Sequence, residues 1–158
     1  MTDASFYDKV GGAQFFRDLV DDFYAGVVTD AVLMKMYPAE DLAAANERLR
    51  LFLIQYWGGP STYSEMRGHP RLRMRHAEFT IDPDARDRWL GHMMASVEKR
   101  QLAEPLKEEL VNYLVQVAHF LLNTLPDDIA APVCHLLSDE AAYITGANMS
   151  INGGLHMM

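Results

Sequence analysis

The chain has 158 residues, 49% of them hydrophobic, and a formal net charge of −8 from 14 Lys and Arg against 22 Asp and Glu. That length suits one domain able to bury roughly two thirds of its unfolded surface, and the hydrophobic share excludes disorder throughout. The acidic balance excludes a general nucleic-acid binder, whose affinity comes from clustered Lys and Arg, while Cys134, the single cysteine, excludes an intrachain disulfide.

In chain order, the first predicted element follows "GG" at 11 and 12. Phe16, Leu19, Phe23 and Val27 recur every three or four residues, so the spacing predicts an amphipathic helix over 13–28. A short turn over Leu33 to Tyr37 is stopped by Pro38. Leu42, Ala45, Leu49, Phe52 and Tyr56 then continue the helical rhythm to a second "GG" at 58 and 59, where a C-terminus is expected. Asp82 before Pro83 is an N-cap followed by proline at the first helical position, and it opens a helix carrying Trp89, Met93 and Val97. Pro105 opens the next, with a stripe of Leu106, Leu110, Tyr113 or Leu114, Val117 and Leu121. No apolar run approaches the ~18 residues of a membrane span, and "MTDASFYDKV" lacks a signal-peptide core. The expectation is a soluble cytoplasmic protein.

Between the second and third long helices lies "GHPRLRMRHAEF". With Arg67 just upstream, it places Arg71, Arg73 and Arg75 around His76 in an acidic chain. If 71–76 is helical, Leu72, His76 and Phe79 share one face at i, i+4 and i+7, with Arg71 and Arg75 at its edges. If it is a strand, Leu72, Met74 and His76 face inward and the arginines outward; spacing alone leaves both open. A histidine on an apolar face is commonly satisfied by a carbonyl, yet a flat apolar cofactor with two carboxylates and a central metal would use every group present.

Residues 5–125 resemble the group II truncated haemoglobins. The resemblance runs from "SFYDKVGG" through "MYPAEDLAAANERLRLFLIQYWGGPSTYSEMRGHPRLRMRHAEF" to "RDRWLGHM", with "QYWGGP", "GHPRLRMRHAEF" and "RDRW" at the family's spacing. It implies an all-α fold, a two-over-two helical sandwich around haem b, with His76 as the proximal iron ligand. By the same resemblance Tyr24, Tyr37 and Trp89 form the distal, ligand-facing set. Ala45 holds the distal gate position, and Leu49, Phe52, Phe79 and Met93 belong to the haem pocket. Arg48 and Arg75 are the implied partners of the propionates. Each of these residues also has a plainer reading: the aromatics as core packing, Arg48 as a solvated charge beside Glu47.

The implied ligands are dioxygen, nitric oxide and carbon monoxide, with oxygen binding or transport, or nitric oxide or peroxide detoxification, as the implied roles. Catalytic turnover would need an external electron donor, since 158 residues hold no flavin or nicotinamide domain beside the globin. No nucleic-acid or membrane partner is expected, and a homodimer is compatible with the resemblance. No HExxH or paired CxxC pattern suggests zinc.

Composition changes near "TLPDD". Residues 1–125 hold 14 basic and 18 acidic residues, a net −4, whereas 126–158 hold four acids and no Lys or Arg. This tail reads as a helix near 127–137 and a β-prone "YITGANMSINGG". It resembles the C-terminus of short-chain dehydrogenases, without their glycine-rich loop or Tyr-x-x-x-Lys pair, so it is not a complete domain. Two readings from other classes accompany the globin: a haem-free helical interaction module and a dehydrogenase fragment.

Overall fold

A computed structural model describes residues 3–124 of the chain. The helix and β-prone segment expected within 126–158 lie outside the described residues. Seven helices and no strand occur among the described residues: α1 (Phe6–Lys9), α2 (Ala13–Val27), α3 (Leu42–Tyr56), α4 (Thr62–Arg67), α5 (Leu72–Arg75), α6 (Pro83–Lys99) and α7 (Glu104–Phe120). Two short 3₁₀ turns, Leu33–Lys35 and Ala39–Asp41, lie on either side of Pro38 and lead into α3.

Local chemistry sets most of these boundaries. The side chain of Asp82 accepts from the Ala85 backbone N–H at 2.8 Å, and Pro83, having no N–H to satisfy, starts α6. At the end of α3 the Gly58 N–H reaches Gln55 O at 3.3 Å and the Gly59 N–H reaches Ile54 O at 2.8 Å, the two bonds of a Schellman ending. Gly58 stands at φ +97°, where an added Cβ would come within 2.7 Å of Ser5 Cβ. α7 begins one residue before Pro105 and α2 ends at Val27, one residue short of the expected 28.

The apolar stripes then dictate the packing. Phe16, Leu19, Val20, Phe23 and Val27 of α2 are fully buried, as are Met93 and Val97 of α6 and Leu110 and Leu114 of α7. α2 packs against both α3 and α6, and α6 against α7. This is the two-over-two sandwich. Burying each large side chain contributes about 1.5–3 kcal/mol, so the pairing of stripes, rather than the propensity of any one helix, holds the fold.

Candidate functional site

Where the two helix pairs and the 72–81 segment face one another they leave a cavity of about 330 Å³. Its wall takes Tyr24 from α2, Tyr37 from the turn after Leu33–Lys35, and Ala45, Arg48, Leu49 and Phe52 from α3. Arg75, His76 and Phe79 come from α5 and the residues after it, and Trp89 from α6. These are the residues singled out from the sequence, with one exception. Met93 is fully buried in the core and does not line the cavity; its position on α6 turns it toward the helix packing instead.

Within 71–76, Leu72–Arg75 is helical, which decides between the two geometries the spacing left open. α5 is a single turn, entered through Arg71 in the left-handed region at φ +42° and ended by His76. Leu72, His76 and Phe79 consequently all reach the cavity. The His76 Nδ1 atom lies 2.7 Å from Leu72 O. A carbonyl can only accept, so Nδ1 carries the hydrogen and Nε2 keeps its lone pair. Burial pushes the imidazole pKa down, the Leu72 bond opposing it, and so favours the neutral ring that can act as a ligand. Among the described residues no three His, Cys, Asp or Glu side chains converge. The cavity thus offers one imidazole nitrogen and no protein cage for a metal.

A second group of polar side chains lines the same cavity. The Tyr24 and Tyr37 rings meet edge to face with centroids 5.7 Å apart, and Trp89 lies against Phe23 at 5.2 Å. Burial, reinforced by Tyr37, raises the Tyr24 hydroxyl pKa strongly. Burial also raises that of Tyr37, while the neighbouring Tyr24 hydroxyl and Trp89 indole oppose the rise. All three therefore stay protonated around neutral pH as O–H or N–H donors.

The arginines divide their work. Arg75 donates from Nε to Pro70 O at 2.7 Å and from Nη2 to Arg67 O at 2.7 Å, and sits 6.0 Å over the Tyr63 ring. It braces the loop before α5. Arg73 donates to Phe120 O at 3.1 Å and docks α5 on the end of α7. Arg48 pairs with Asp41 at 2.5 Å rather than with Glu47, and the pairing holds the Asp41 carboxyl below its usual range. Arg67 and Arg86 also border the cavity. Arg86 pairs with Asp87 at 2.8 Å, whereas Arg67 has no carboxylate partner among the described residues.

The other histidines among the described residues stand apart from this site. His92 faces Asp30 at 3.1 Å and His119 contacts Val115 O at 2.9 Å, each on its own helix surface. His69 accepts from the Arg71 N–H at 3.3 Å in the loop.

The bacterial-like globin family model matches residues 5–123. This chain is a bacterial-like globin. It is 35% identical over 117 residues to a group 2 truncated haemoglobin, YjbI of Bacillus subtilis, covering 74% of this chain and 87% of that protein. The X-ray structure of a thermostable haemoglobin from Thermobifida fusca is 55% identical, superposes with a TM-score of 0.75, and is covered to 98% by 77% of this chain. A separate similarity of 56% over 32 residues links 20% of this chain to 13% of an acetoacetyl-CoA reductase from Allochromatium vinosum. That second likeness is too short to bring a nucleotide-binding domain with it.

As a truncated haemoglobin the globin takes a haem iron cofactor and binds diatomic gas there. The site's chemistry fits that group: an apolar slot for the macrocycle, a neutral imidazole with a lone pair at Nε2, and guanidinium groups at the border for carboxylates. No helix among the described residues is long and apolar enough to cross a membrane.

Several wall residues are not assigned to the cavity by the sequence, Tyr113, Tyr63 and Arg67 among them. Tyr113 of α7 lines the cavity and stacks on Tyr56 with centroids 3.9 Å apart; within a helical stripe it is indistinguishable from ordinary core. Tyr63 and Arg67 of α4 do the same from a six-residue helix too short to show a period. The border role of Arg67 had one signal, its place beside the arginine run.

Proposed function

We propose that His76 holds the haem iron through Nε2 and that Tyr24, Tyr37 and Trp89 hold dioxygen on the distal side. The observation that carries this reading is the 2.7 Å contact of His76 Nδ1 with Leu72 O, which leaves Nε2 unprotonated on the wall of the cavity those three donors share. Haem supplies a ferrous iron with a coordination position for a diatomic gas. The protein's part is orientation and polarity. The Leu72 carbonyl sets the tautomer and the plane of the imidazole. Trp89 contributes one indole N–H that does not titrate, and the two tyrosines contribute hydroxyls that can rotate to donate. Ala45, a buried methyl on α3, has nothing to donate, so hydrogen bonding falls to the aromatic set.

Propionate carboxylates would meet Arg67 and the already paired Arg48 at the border, where a charge-assisted bond is short and directional. Arg75, committed to loop carbonyls, acts by fixing the histidine turn. Residues 1–125 form the haem module on this reading, and the cavity residues among the described ones all lie within it. Repeated oxidation of nitric oxide or reduction of peroxide would draw electrons from an external donor.

Absorption spectra of the purified protein, oxidised, reduced and with carbon monoxide, test the assignment alongside His76→Ala. The expected result is a Soret band in the parent and poor haem retention in the variant, because the ring nitrogen is the only proposed protein bond to iron. A normal five-coordinate ferrous spectrum in His76→Ala would remove His76 from this role.

A further inference from the structure

α5 is one turn of four residues. A lone turn is disfavoured by nucleation, on the order of a thousandfold, so it cannot orient a metal ligand by itself. The Leu72 carbonyl fixes the imidazole only relative to that turn, and something outside must fix the turn. Arg75 does so on the N-terminal side. On the C-terminal side residues 77–81 form no helix, and one side chain gathers their backbone groups.

That side chain is Asn123, three residues past the end of α7. Its Nδ2 donates to Phe79 O at 2.8 Å and to His76 O at 3.3 Å, and its Oδ1 accepts from the Ile81 N–H at 2.8 Å. Its own N–H donates to Ile81 O at 3.0 Å, and the Thr124 hydroxyl donates to Oδ1 at 3.1 Å. The partners leave one orientation for the carboxamide, since two carbonyls need the NH₂ and one N–H needs the oxygen. Only an amide of this length supplies both. Aspartate would turn an oxygen toward two carbonyls, and alanine would leave the turn unheld.

We propose that Asn123 is a positioning residue for the His76 imidazole, clamping the turn after the histidine to the end of α7. The proposal rests on His76 as the iron ligand. Loosening the clamp lets the imidazole tilt, which weakens its bond to iron without altering the distal donors.

The test uses the full-length chain loaded with haem, with Asn123→Ala, Asn123→Asp, Thr124→Val and His76→Gly. In ferrous Asn123→Ala and Asn123→Asp the iron–histidine stretching band should broaden and move to lower frequency. Haem transfer to excess apomyoglobin should quicken about tenfold, a change of about 1.4 kcal/mol, with the helical circular dichroism unchanged. A parent band and parent transfer rate in either variant would overturn the proposal. Thr124→Val, which removes only the hydroxyl bond to Oδ1, should shift the band slightly in the same direction. A parent band there, combined with an Asn123→Ala protein unable to fold, would reduce Asn123 to a folding residue and equally overturn the proposal. In His76→Gly the band should vanish and return with free imidazole; its persistence would instead refute His76 as ligand, whatever the Asn123 variants do.

Discussion

Replacing Trp89 with phenylalanine removes one N–H donor and keeps an aromatic ring against Phe23, now 5.2 Å from the indole. Trp89 is only half-buried, so the packing lost is small beside the polar change. Dioxygen bound to ferrous iron carries partial negative charge at its outer atom, while carbon monoxide is much less polar. A hydrogen bond to a neutral acceptor contributes about 1 kcal/mol net and one to a charged acceptor about 1.5–3. Loss of the indole should therefore speed dioxygen release by on the order of 10- to 100-fold, with a much smaller effect on carbon monoxide. The structure also sets the coupling. Tyr37 is influenced by both Tyr24 and Trp89, so its hydroxyl can turn to replace the missing indole. Adding Tyr37→Phe to Trp89→Phe should then cost more than the two single changes together. Stopped-flow displacement of dioxygen, with flash photolysis for carbon monoxide, measures all four proteins. Equal acceleration of both gases would identify a steric gate at Trp89. Unchanged dioxygen release in the double variant would end the hydrogen-bonding account.

Truncation after Leu125 should leave the ferrous and carbon monoxide spectra unchanged, since the cavity residues among the described ones all lie before it; loss of haem on truncation would make the tail part of the globin. Gly58→Ala should lower stability by more than about 1 kcal/mol, because φ +97° disfavours a side chain and the new methyl would meet Ser5; an unchanged urea midpoint would contradict the Schellman ending as a constraint. Alkaline unfolding provides a fourth check. Burial, and to a lesser extent Glu109, push the Tyr56 hydroxyl up to about 12, so the folded chain holds this proton more tightly than the unfolded one. Its stabilisation is complete below pH 10 and disappears as pH rises through about 12. Tyr56→Phe should make the loss over that interval less steep, and an identical slope in denaturant titrations at each pH would show that Tyr56 is not its source.

Helix boundaries were legible in the sequence wherever a boundary is a local event. Asp82 with Pro83 and the glycine pair at 58 and 59 satisfy backbone groups within a few residues, so their effect needs no tertiary context. The long stripes of α2 and α7 were legible because a 3.6-residue period survives over four turns. The family resemblance, rather than spacing, singled out Tyr24, Tyr37 and Trp89 from other aromatics of the same stripes. Residues 71–76 are the opposite case. One turn is too short for periodicity to distinguish helix from strand, and the contacts that make it a helix come from elsewhere: Arg73 reaches Phe120 and Asn123 reaches His76 and Phe79. Tertiary structure also decided the fate of each charge. Arg48 found Asp41 seven residues away instead of neighbouring Glu47, and Arg75 turned back to its own loop. A guanidinium on a long flexible stem can reach many acceptors, and only the folded chain determines which of them lie within hydrogen-bond distance. Met93, on the same helix as Trp89, shows the same division: periodicity made it buried, while the angle at which α6 meets its neighbours placed it in the packing and Trp89 on the cavity.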